Sequence, residues 1–168
     1  MIAYKFLAAG AVGPFTGFRW PTTGEWVETG GGLDVCRNGI HACSVEELSE
    51  WVGDELWTIE LDGRVDREEG VLVAERGRLL ERVEAWNAEA ARDFALDCAR
   101  RLRERAEADK RLRPFAEDAE TQIGLGSDPK LTAVVAFIAR HAAEQEEVGG
   151  WDAERARQSR VIGERVGL

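Results

Sequence analysis

The sequence predicts an α+β fold, in which a small twisted N-terminal β-sheet with one short helix is followed by about four C-terminal helices. Residues 1–75 contain 11 of the 18 glycines and 4 of the 6 tryptophans, which is typical of short strands joined by turns. Beyond residue 76 the apolar residues recur every three or four positions, as on amphipathic helices. We therefore predict a β-rich segment over 1–76 and a helical segment over 77–168, which together form one compact domain.

Six short strands are expected in the β-rich segment, because alternating or β-branched runs are separated by turn residues. In LWTIEL, for example, every second residue would face the core. Ser44 and Glu47 form a Ser-x-x-Glu capping box, which starts a short helix that Gly53 ends. The expected strands cover residues 2–8, 25–28, 33–37, 40–43, 56–61 and 71–75.

The first helix of the second segment is expected over about 77–107. Its inner stripe consists of Leu79, Val83, Trp86, Ala90, Phe94, Cys98 and Leu102. Trp86 and Cys98 should therefore be buried.

Three further helices follow from local signals. Pro114 lies near the start of a helix that ends around Gly124, and Asp128 followed by Pro129 is typical of a helix start. Asp152 would cap the last helix. The expected inner faces are Leu131, Val134, Val135, Ile138 and Ala142 on the third helix, and Ala156, Ile162 and Val166 on the fourth.

Charge and composition restrict the classes of function. The net charge is −10, and residues 1–75 carry 5 basic and 14 acidic side chains, so no nucleic acid partner is expected. An acidic first half would instead suit a cationic ligand, a metal or a basic partner. No apolar run approaches the roughly 20 residues of a membrane helix, so no membrane partner is expected. Three cysteines without an export signal indicate the cytoplasm.

The stretch VCRNGIHAC concentrates groups that could carry chemistry. Its central Asn-Gly pair is a strong two-residue turn signal, so the flanking residues should form a hairpin. In such a hairpin Cys36 would face His41, and Asp34 would face Cys43. All four side chains would then lie on one face of the sheet.

Three interpretations of this cluster remain open. Cys36, His41, Cys43 and Asp34 could bind zinc, although Cys-x4-His-x-Cys is not the usual spacing and no metal is favoured. Cys36 and His41 could instead be a nucleophile and its base. In the structural interpretation, both cysteines are small buried apolar residues and His41 is a hydrogen-bonded core histidine.

A small-molecule site at the sheet would need further side chains. The loop GAVGPFTGFRWP, residues 10–21, presents Arg19 and Trp20, and it could bind a ligand or fold back as a lid over the sheet. Glu60, on the polar side of its strand, could act as a base or a ligand, whereas His141, beside the inner stripe of its helix, should be packed rather than catalytic. The candidate ligand-binding residues are therefore His41, Cys36, Arg19, Trp20 and Glu60. No familiar enzyme signature occurs, so catalytic residues and a cofactor are left unassigned.

The residues CRNGIHAC, with YKFL upstream and LWTIEL downstream, resemble a family of uncharacterised bacterial proteins that carry a Cys-x-x-Gly-x-His-Ala-Cys element. This resemblance covers the first half of the chain and implies no activity. The alanine-rich segments AEAARDFALDCARR and TAVVAFIARHAAEQ resemble all-helical immunity-type domains. That resemblance implies a helical half that binds a partner protein.

Two functions are consistent with these features. The first is a small-molecule-binding protein or enzyme with its site at the N-terminal sheet, which a cleft joining His41, Arg19 and Glu60 would favour. The second is a non-enzymatic protein-interaction module in which the Cys/His cluster is purely structural. An extended apolar patch on the last two helices would favour the second function.

Overall fold

The computed structural model describes residues 1–35, 37–68, 70–126 and 128–168, and it confirms the α+β fold. The chain separates into two compact units, Met1–Glu84 and Ala85–Leu168. The first unit contains the β-strands and the second contains the four α-helices. The boundary predicted after residue 76 lies inside the last strand.

In the first unit, the described residues form an antiparallel sheet of five strands. Its strands are β1 (Ile2–Leu7), β2 (Val27–Glu28), β3 (Ile40–Ala42), β4 (Glu55–Glu68) and β5 (Val71–Arg82). β4 pairs with β5 along most of its length, and its other edge pairs with β1. The second edge of β5 pairs with β3 at residues 72–74 and with β2 at residues 76–77.

The sheet closes on itself through Tyr4 and Cys43. The backbone N–H of Tyr4 donates to the carbonyl of Cys43 at 2.9 Å, and the N–H of Cys43 donates to the carbonyl of Tyr4 at 2.8 Å. Because Cys43 directly follows β3, the strands β1, β4, β5 and β3 form a closed circuit of pairings. A sheet paired in this way encloses one of its faces.

One hydrophobic core of this unit lies on the enclosed face, to which alternate residues point wherever the strands are regular. Its buried members are Ala3, Leu7, Ala11, Trp20, Ile40, Ala42, Trp57, Ile59, Leu61, Leu72, Ala74 and Leu79. The alternation predicted in LWTIEL is confirmed, since Trp57, Ile59 and Leu61 all belong to this core.

Residues 77–82 continue β5, so the prediction of a helix from residue 77 is wrong. Leu79 is buried because it pairs with Ile59 across the sheet, and its spacing from later apolar residues suits a strand as well as a helix. Gly77 permits close packing, because a Cβ there would lie 2.8 Å from Cγ2 of Ile40.

In the second unit, the residues that the structure describes form four α-helices. They are α1 (Ala88–Ala108), α2 (Arg113–Gly124), α3 (Pro129–Glu146) and α4 (Gly150–Val166). α1 begins where the Asn87 side chain accepts hydrogen bonds from the N–H groups of Glu89 at 3.0 Å and Ala90 at 3.1 Å. α3 begins after Asp128 as predicted, because this carboxylate accepts from the N–H of Lys130 at 2.8 Å.

α4 begins two residues before Asp152, the predicted cap. Gly149 has a left-handed φ of 83°, and a Cβ on Gly150 would lie 2.1 Å from the carbonyl oxygen of Ala143. The two glycines therefore set the entry to α4, because only glycine tolerates this turn and this close approach.

The described residues also form two short 3-10 helices, Val45–Glu50 and Lys110–Leu112. The predicted capping box is confirmed, because the carboxylate of Glu47 accepts from the N–H of Ser44 at 3.1 Å and from its hydroxyl at 2.9 Å. The segment is a 3-10 helix that ends at Glu50, three residues before the predicted Gly53.

The helical unit encloses charged groups as well as apolar ones. Glu154 is buried and accepts from Arg157 at 2.8 Å, and Arg157 also pairs with Asp97 at 3.2 Å. The predicted inner face of α4 is therefore partly wrong, since Ile162 is buried as expected whereas Ala156 is exposed.

Replacing Trp86 by alanine should lower the free energy of unfolding by about 3–5 kcal/mol. Trp86 precedes α1 rather than lying on it, but its ring is fully buried and packs edge-on against Phe94 with 6.2 Å between centroids. Urea unfolding followed by circular dichroism measures the change. Phe15→Ala is the control, because Phe15 is 88% exposed and should contribute less than about 0.5 kcal/mol. A loss below about 1 kcal/mol for Trp86→Ala would contradict this assignment.

Candidate functional site

The Asn-Gly pair does not make the predicted hairpin turn. The N–H of Asp34 donates to the carbonyl of Asn38 at 2.9 Å, and the Asn38 side chain donates to the carbonyls of Gly30 and Gly32 at 2.8 Å each. Asn38 therefore ties down a glycine loop, and the strand expected over 33–37 does not form in the described residues. β3 pairs with β5 instead.

The predicted arrangement, in which four candidate ligands share one face of the sheet, does not hold for the described residues. The pairing of Asp34 with Cys43 is wrong, because Cys43 bonds to Tyr4. The pairing of Cys36 with His41 lies outside the described residues, because Cys36 does.

β3 presents His41 on the face opposite the enclosed core, since its neighbours Ile40 and Ala42 point into that core. The ring is half-buried, and its Nδ1 lies 3.0 Å from the carbonyl oxygen of Gly39. Burial, together with the charge of Lys5, lowers the pKa of His41, although the Gly39 carbonyl opposes this shift. The imidazole is therefore mostly neutral at neutral pH.

Cys43 is a buried thiol that is 1% exposed. Burial raises its pKa to about 12, with a further rise from Glu47 and an opposing effect of Lys5. Because nucleophilic attack and zinc binding both use the thiolate, this environment disfavours both. Among the described residues, which exclude Cys36, no three His, Cys, Asp or Glu side chains are arranged to hold a metal ion.

Asp34 borders an acidic hollow with a volume of about 330 Å³. One of the carboxylates there is already paired, because Asp66 lies 2.8 Å from the guanidinium of Arg64. The lining residues are Leu33, Asp34, Val35, Asp66, Glu68 and Val73. The hollow thus gathers some of the acidic side chains that the composition shows in the first half of the chain.

The loop over residues 10–21 folds back as a lid, the second of its two predicted behaviours. Trp20 is 6% exposed within the core of the sheet unit, and its ring stands edge-on to Phe18 at 5.7 Å. Arg19 donates to the carbonyl of Gly10 at 3.0 Å, and this hydrogen bond connects the two ends of the loop.

The buried carboxylate of Glu55, which sequence reasoning missed, holds this lid. It accepts from the N–H groups of Gly10 at 3.0 Å and Ala11 at 3.1 Å, and from the Trp57 indole at 3.0 Å, with Arg82 at 3.5 Å. Burial opposes the ionisation of Glu55, but these donors outweigh it and hold its pKa below the ordinary value. The hydrogen bond from the N–H of Ala11 to Glu55 also helps to hold Ala11 in the left-handed region at φ 57°.

Glu60 pairs with Arg78 at 2.7 Å, and the Arg78 guanidinium lies 4.7 Å from the ring centroid of Trp26. Arg19 bonds to the lid itself, and His41 lies against the backbone that precedes β3. A cleft that joined His41, Arg19 and Glu60 would favour a small-molecule site. Instead, each of these residues contacts a different part of the unit.

Lys5 is the second charged group that sequence reasoning missed. β1 places it on the enclosed face between the buried residues Ala3 and Leu7. Its ammonium donates to the carbonyl of His41 and lies 5.2 Å from the ring centroid of Trp20. Burial lowers the pKa of Lys5 to about 8. The alternation in IAYKFLA contained the signal, because it sets this lysine in phase with two apolar residues.

The helical unit presents a surface that we call the aromatic face, formed by Phe115, Val134, Phe137, His141 and Trp151. The His141 ring stacks on Phe137 with 6.3 Å between centroids and stands edge-on to Phe115 at 5.6 Å. Phe137 in turn stands edge-on to Trp151 at 5.3 Å.

The aromatic face is open to solvent. Phe137 is 52% and Val134 is 40% exposed, and the His141 ring is exposed as well. The prediction that Val134 lies on the inner face is therefore wrong, whereas His141 is packed against Phe115 and Phe137 at the surface of the unit. The reason is that apolar residues cover more than one side of α3, and its inner side is occupied by Val135, Ile138 and Ala142.

Comparisons of the chain with models of protein families, with curated proteins and with solved structures found no match. In the part of the chain that the structure describes, no helix combines the length and the hydropathy needed to cross a membrane.

Replacing Glu55 by glutamine should loosen the lid and lower the free energy of unfolding by about 1–3 kcal/mol, because buried donors lose their charged acceptor. Amide hydrogen exchange should quicken at Gly10 and Ala11. Asp54→Asn is the matched control, since Asp54 accepts one exposed hydrogen bond from the N–H of Ala9 at 2.9 Å. Unchanged exchange at both lid amides in the Glu55→Gln variant would refute this role.

Glu55 should also make the fold sensitive to acid. Because its pKa is depressed in the folded state, its contribution is complete above the ordinary value of 4.5 and is lost as pH falls through the folded pKa. The difference in free energy of unfolding between the native protein and Glu55→Gln should therefore shrink as pH falls from 7 to 3. A difference that does not change with pH would show that the carboxylate charge contributes nothing.

Proposed function

We propose that this protein is a non-enzymatic protein-interaction module that binds a basic partner protein through its aromatic face. The observation that carries this proposal is a connected set of rings across α2, α3 and α4, in which Phe137 and His141 are exposed and Phe115 and Trp151 are half-buried. Apolar side chains exposed singly are ordinary, whereas a contiguous aromatic surface is typical of a binding site.

The aromatic face is organised before any partner arrives. Phe137 contacts both His141 and Trp151, and the guanidinium of Arg140 lies 5.1 Å from the ring centroid of Trp151. Rings held in this way lose little conformational freedom on binding, which favours affinity. Val148, which is 99% exposed between α3 and α4, adds apolar area near the start of α4.

The charges along these helices indicate what kind of partner binds. The Glu144 carboxylate accepts from the backbone N–H of Trp151 at 3.0 Å and therefore lies beside this residue. Asp118 on α2 and Asp152 on α4 are exposed, and Arg155 pairs with Asp152 at 3.5 Å. With a net charge of −10, the protein attracts basic surfaces and repels a second copy of itself and nucleic acid.

The competing function, a small-molecule-binding protein or enzyme at the sheet, has less support. Arg19, Glu60 and His41 interact with different partners, and Cys43 is a protonated thiol in the interior. These features agree with a structural role for the Cys/His cluster. The resemblance of the helical half to immunity-type domains agrees with partner binding, and the cytoplasmic location expected from the cysteines would place that partner inside the cell.

Affinity capture with the native protein and with Phe137→Glu as baits tests the proposal. A captured partner is then purified and titrated against both proteins by calorimetry. We expect a basic partner whose Kd rises at least tenfold with Phe137→Glu, which corresponds to about 1.4 kcal/mol, because a central ring is lost and a charge is introduced. Binding should also weaken as salt is increased.

Leu96→Glu is the matched control, because Leu96 is an exposed leucine on α1, at 41% exposure, outside the aromatic face. It should leave the Kd unchanged. An acidic partner, or equal effects of Phe137→Glu and Leu96→Glu, would overturn the proposal. Vesicles of anionic phospholipid serve as a further control, and their capture by the native protein but not by Phe137→Glu would reassign the face to a membrane surface.

A further inference from the structure

The spacing of the rings in the aromatic face indicates which kind of segment docks on it. We propose that this face binds an amphipathic α-helix of the partner, about three turns long, with an apolar side toward the rings and basic residues beside it. This inference rests on the proposed function and adds the secondary structure and the side-chain pattern of the partner's binding segment.

The aromatic face is built from helices alone. α3, whose exposed stripe carries Val134, Phe137 and His141, packs against α1, α2 and α4. Phe115 of α2 and Trp151 of α4 each contact this stripe. The described residues of this unit contain no strand, so a partner has no sheet edge here to which it could add a strand. The surface instead offers the ridges of helices, against which another helix packs ridge into groove.

The rings form a row whose spacing matches that of side chains on a helix. Successive centroids along this ring row, which consists of Phe115, His141, Phe137 and Trp151, are 5.6, 6.3 and 5.3 Å apart. Side chains three or four positions apart on a helix are separated by about 5–6 Å. One face of a strand repeats every ~6.7 Å, and a polyproline II helix repeats every ~9 Å. A helix therefore matches the ring row most closely.

The length of the ring row sets the length of the segment. The three centroid separations allow a row of at most about 17 Å, which a helix covers in about three turns. Over that length an amphipathic helix presents three or four apolar side chains on one side, about as many as there are rings to contact.

Charges beside the ring row indicate where the partner helix is basic. The Glu144 carboxylate accepts a hydrogen bond from the backbone N–H of Trp151, at one end of the row. Asp118 is exposed and lies one turn after Phe115 on α2, at the other end. Lysine or arginine beside the apolar stripe of the partner would complement both carboxylates, which is the pattern of a basic amphipathic helix.

Two peptides of one composition test the helix. Each has about 14 residues and equal numbers of leucine and lysine, but leucine recurs every three or four positions in the first and alternates with lysine in the second, which favours a strand. Both are titrated against the native protein by calorimetry. We expect the first peptide to bind at least tenfold more tightly. Equal binding of the two peptides, or no binding of the first, would overturn the inference.

Phe137→Ala locates the binding site, with Leu96→Ala as the matched control. Both side chains are exposed, at 52% and 41%, so both variants should stay folded, which circular dichroism verifies. We expect Phe137→Ala to weaken binding of the first peptide at least tenfold and Leu96→Ala to weaken it less than twofold, because only Phe137 belongs to the ring row. Equal effects would mean that net charge alone attracts the peptide, and the inference would fail.

A third peptide, with glutamate in place of lysine in the helical pattern, separates this inference from the proposed function. We expect it to bind at least tenfold more weakly than its lysine counterpart. Tighter binding that is still lost with Phe137→Ala would contradict the basic partner of the proposed function and support the helix. Conversely, tight binding of the alternating lysine peptide that is lost with Phe137→Ala would support the docking function and refute the helix.

Discussion

The antiparallel pairing of β4 with β5 is the constraint on which the rest of the sheet unit depends. β1 pairs with β4, and β2 and β3 pair with β5, so each remaining strand is positioned by this pair. The register sets Ile59 opposite Leu79 and Leu61 opposite Gly77, and it shifts between Asp62 and Val65. Such irregularities increase the local twist of a sheet, which helps it to enclose one face. The enclosed face then carries Lys5 and the surface on which the lid rests.

Glu55 and Lys5 are both ionisable groups at the core of the sheet unit, but their charges are stabilised to different extents by the groups around them. The Glu55 carboxylate is surrounded by two backbone N–H groups, an indole N–H and a guanidinium, so its charge is stabilised and serves to hold the lid. The Lys5 ammonium has one carbonyl acceptor and one ring, and its charge is destabilised by burial. The first arrangement anchors the lid, whereas the second connects β1 to the backbone of β3 and to Trp20.

Local signals in the sequence predicted local structure well. The start of α3 after Asp128 and the capping box of Ser44 with Glu47 depend on neighbouring residues, and both are confirmed. Residues 77–82 were misread because a spacing of four between apolar residues suits a strand as well as a helix, and only the pairing with β4 decides between them. The Asn-Gly turn failed for a similar reason, because the Asn38 side chain binds a loop that is contributed by other residues.

The candidate sites were harder to predict because they depend on contacts across the fold. Periodicity identified Val135, Ile138 and Ala142 on α3 and Ile162 on α4 as buried, but it could not show that a carboxylate, Glu154, would occupy the inner side of α4. That burial has a consequence for the surface. The helical unit has 14 basic and 16 acidic residues, so its net charge is only −2. Several of its arginines are already paired, as Arg157 is with Asp97 and Glu154. Arg157 thereby offsets two carboxylates, so the rest of the unit is close to neutral, and the preference for a basic partner that we propose depends on the placement of single exposed carboxylates such as Glu144.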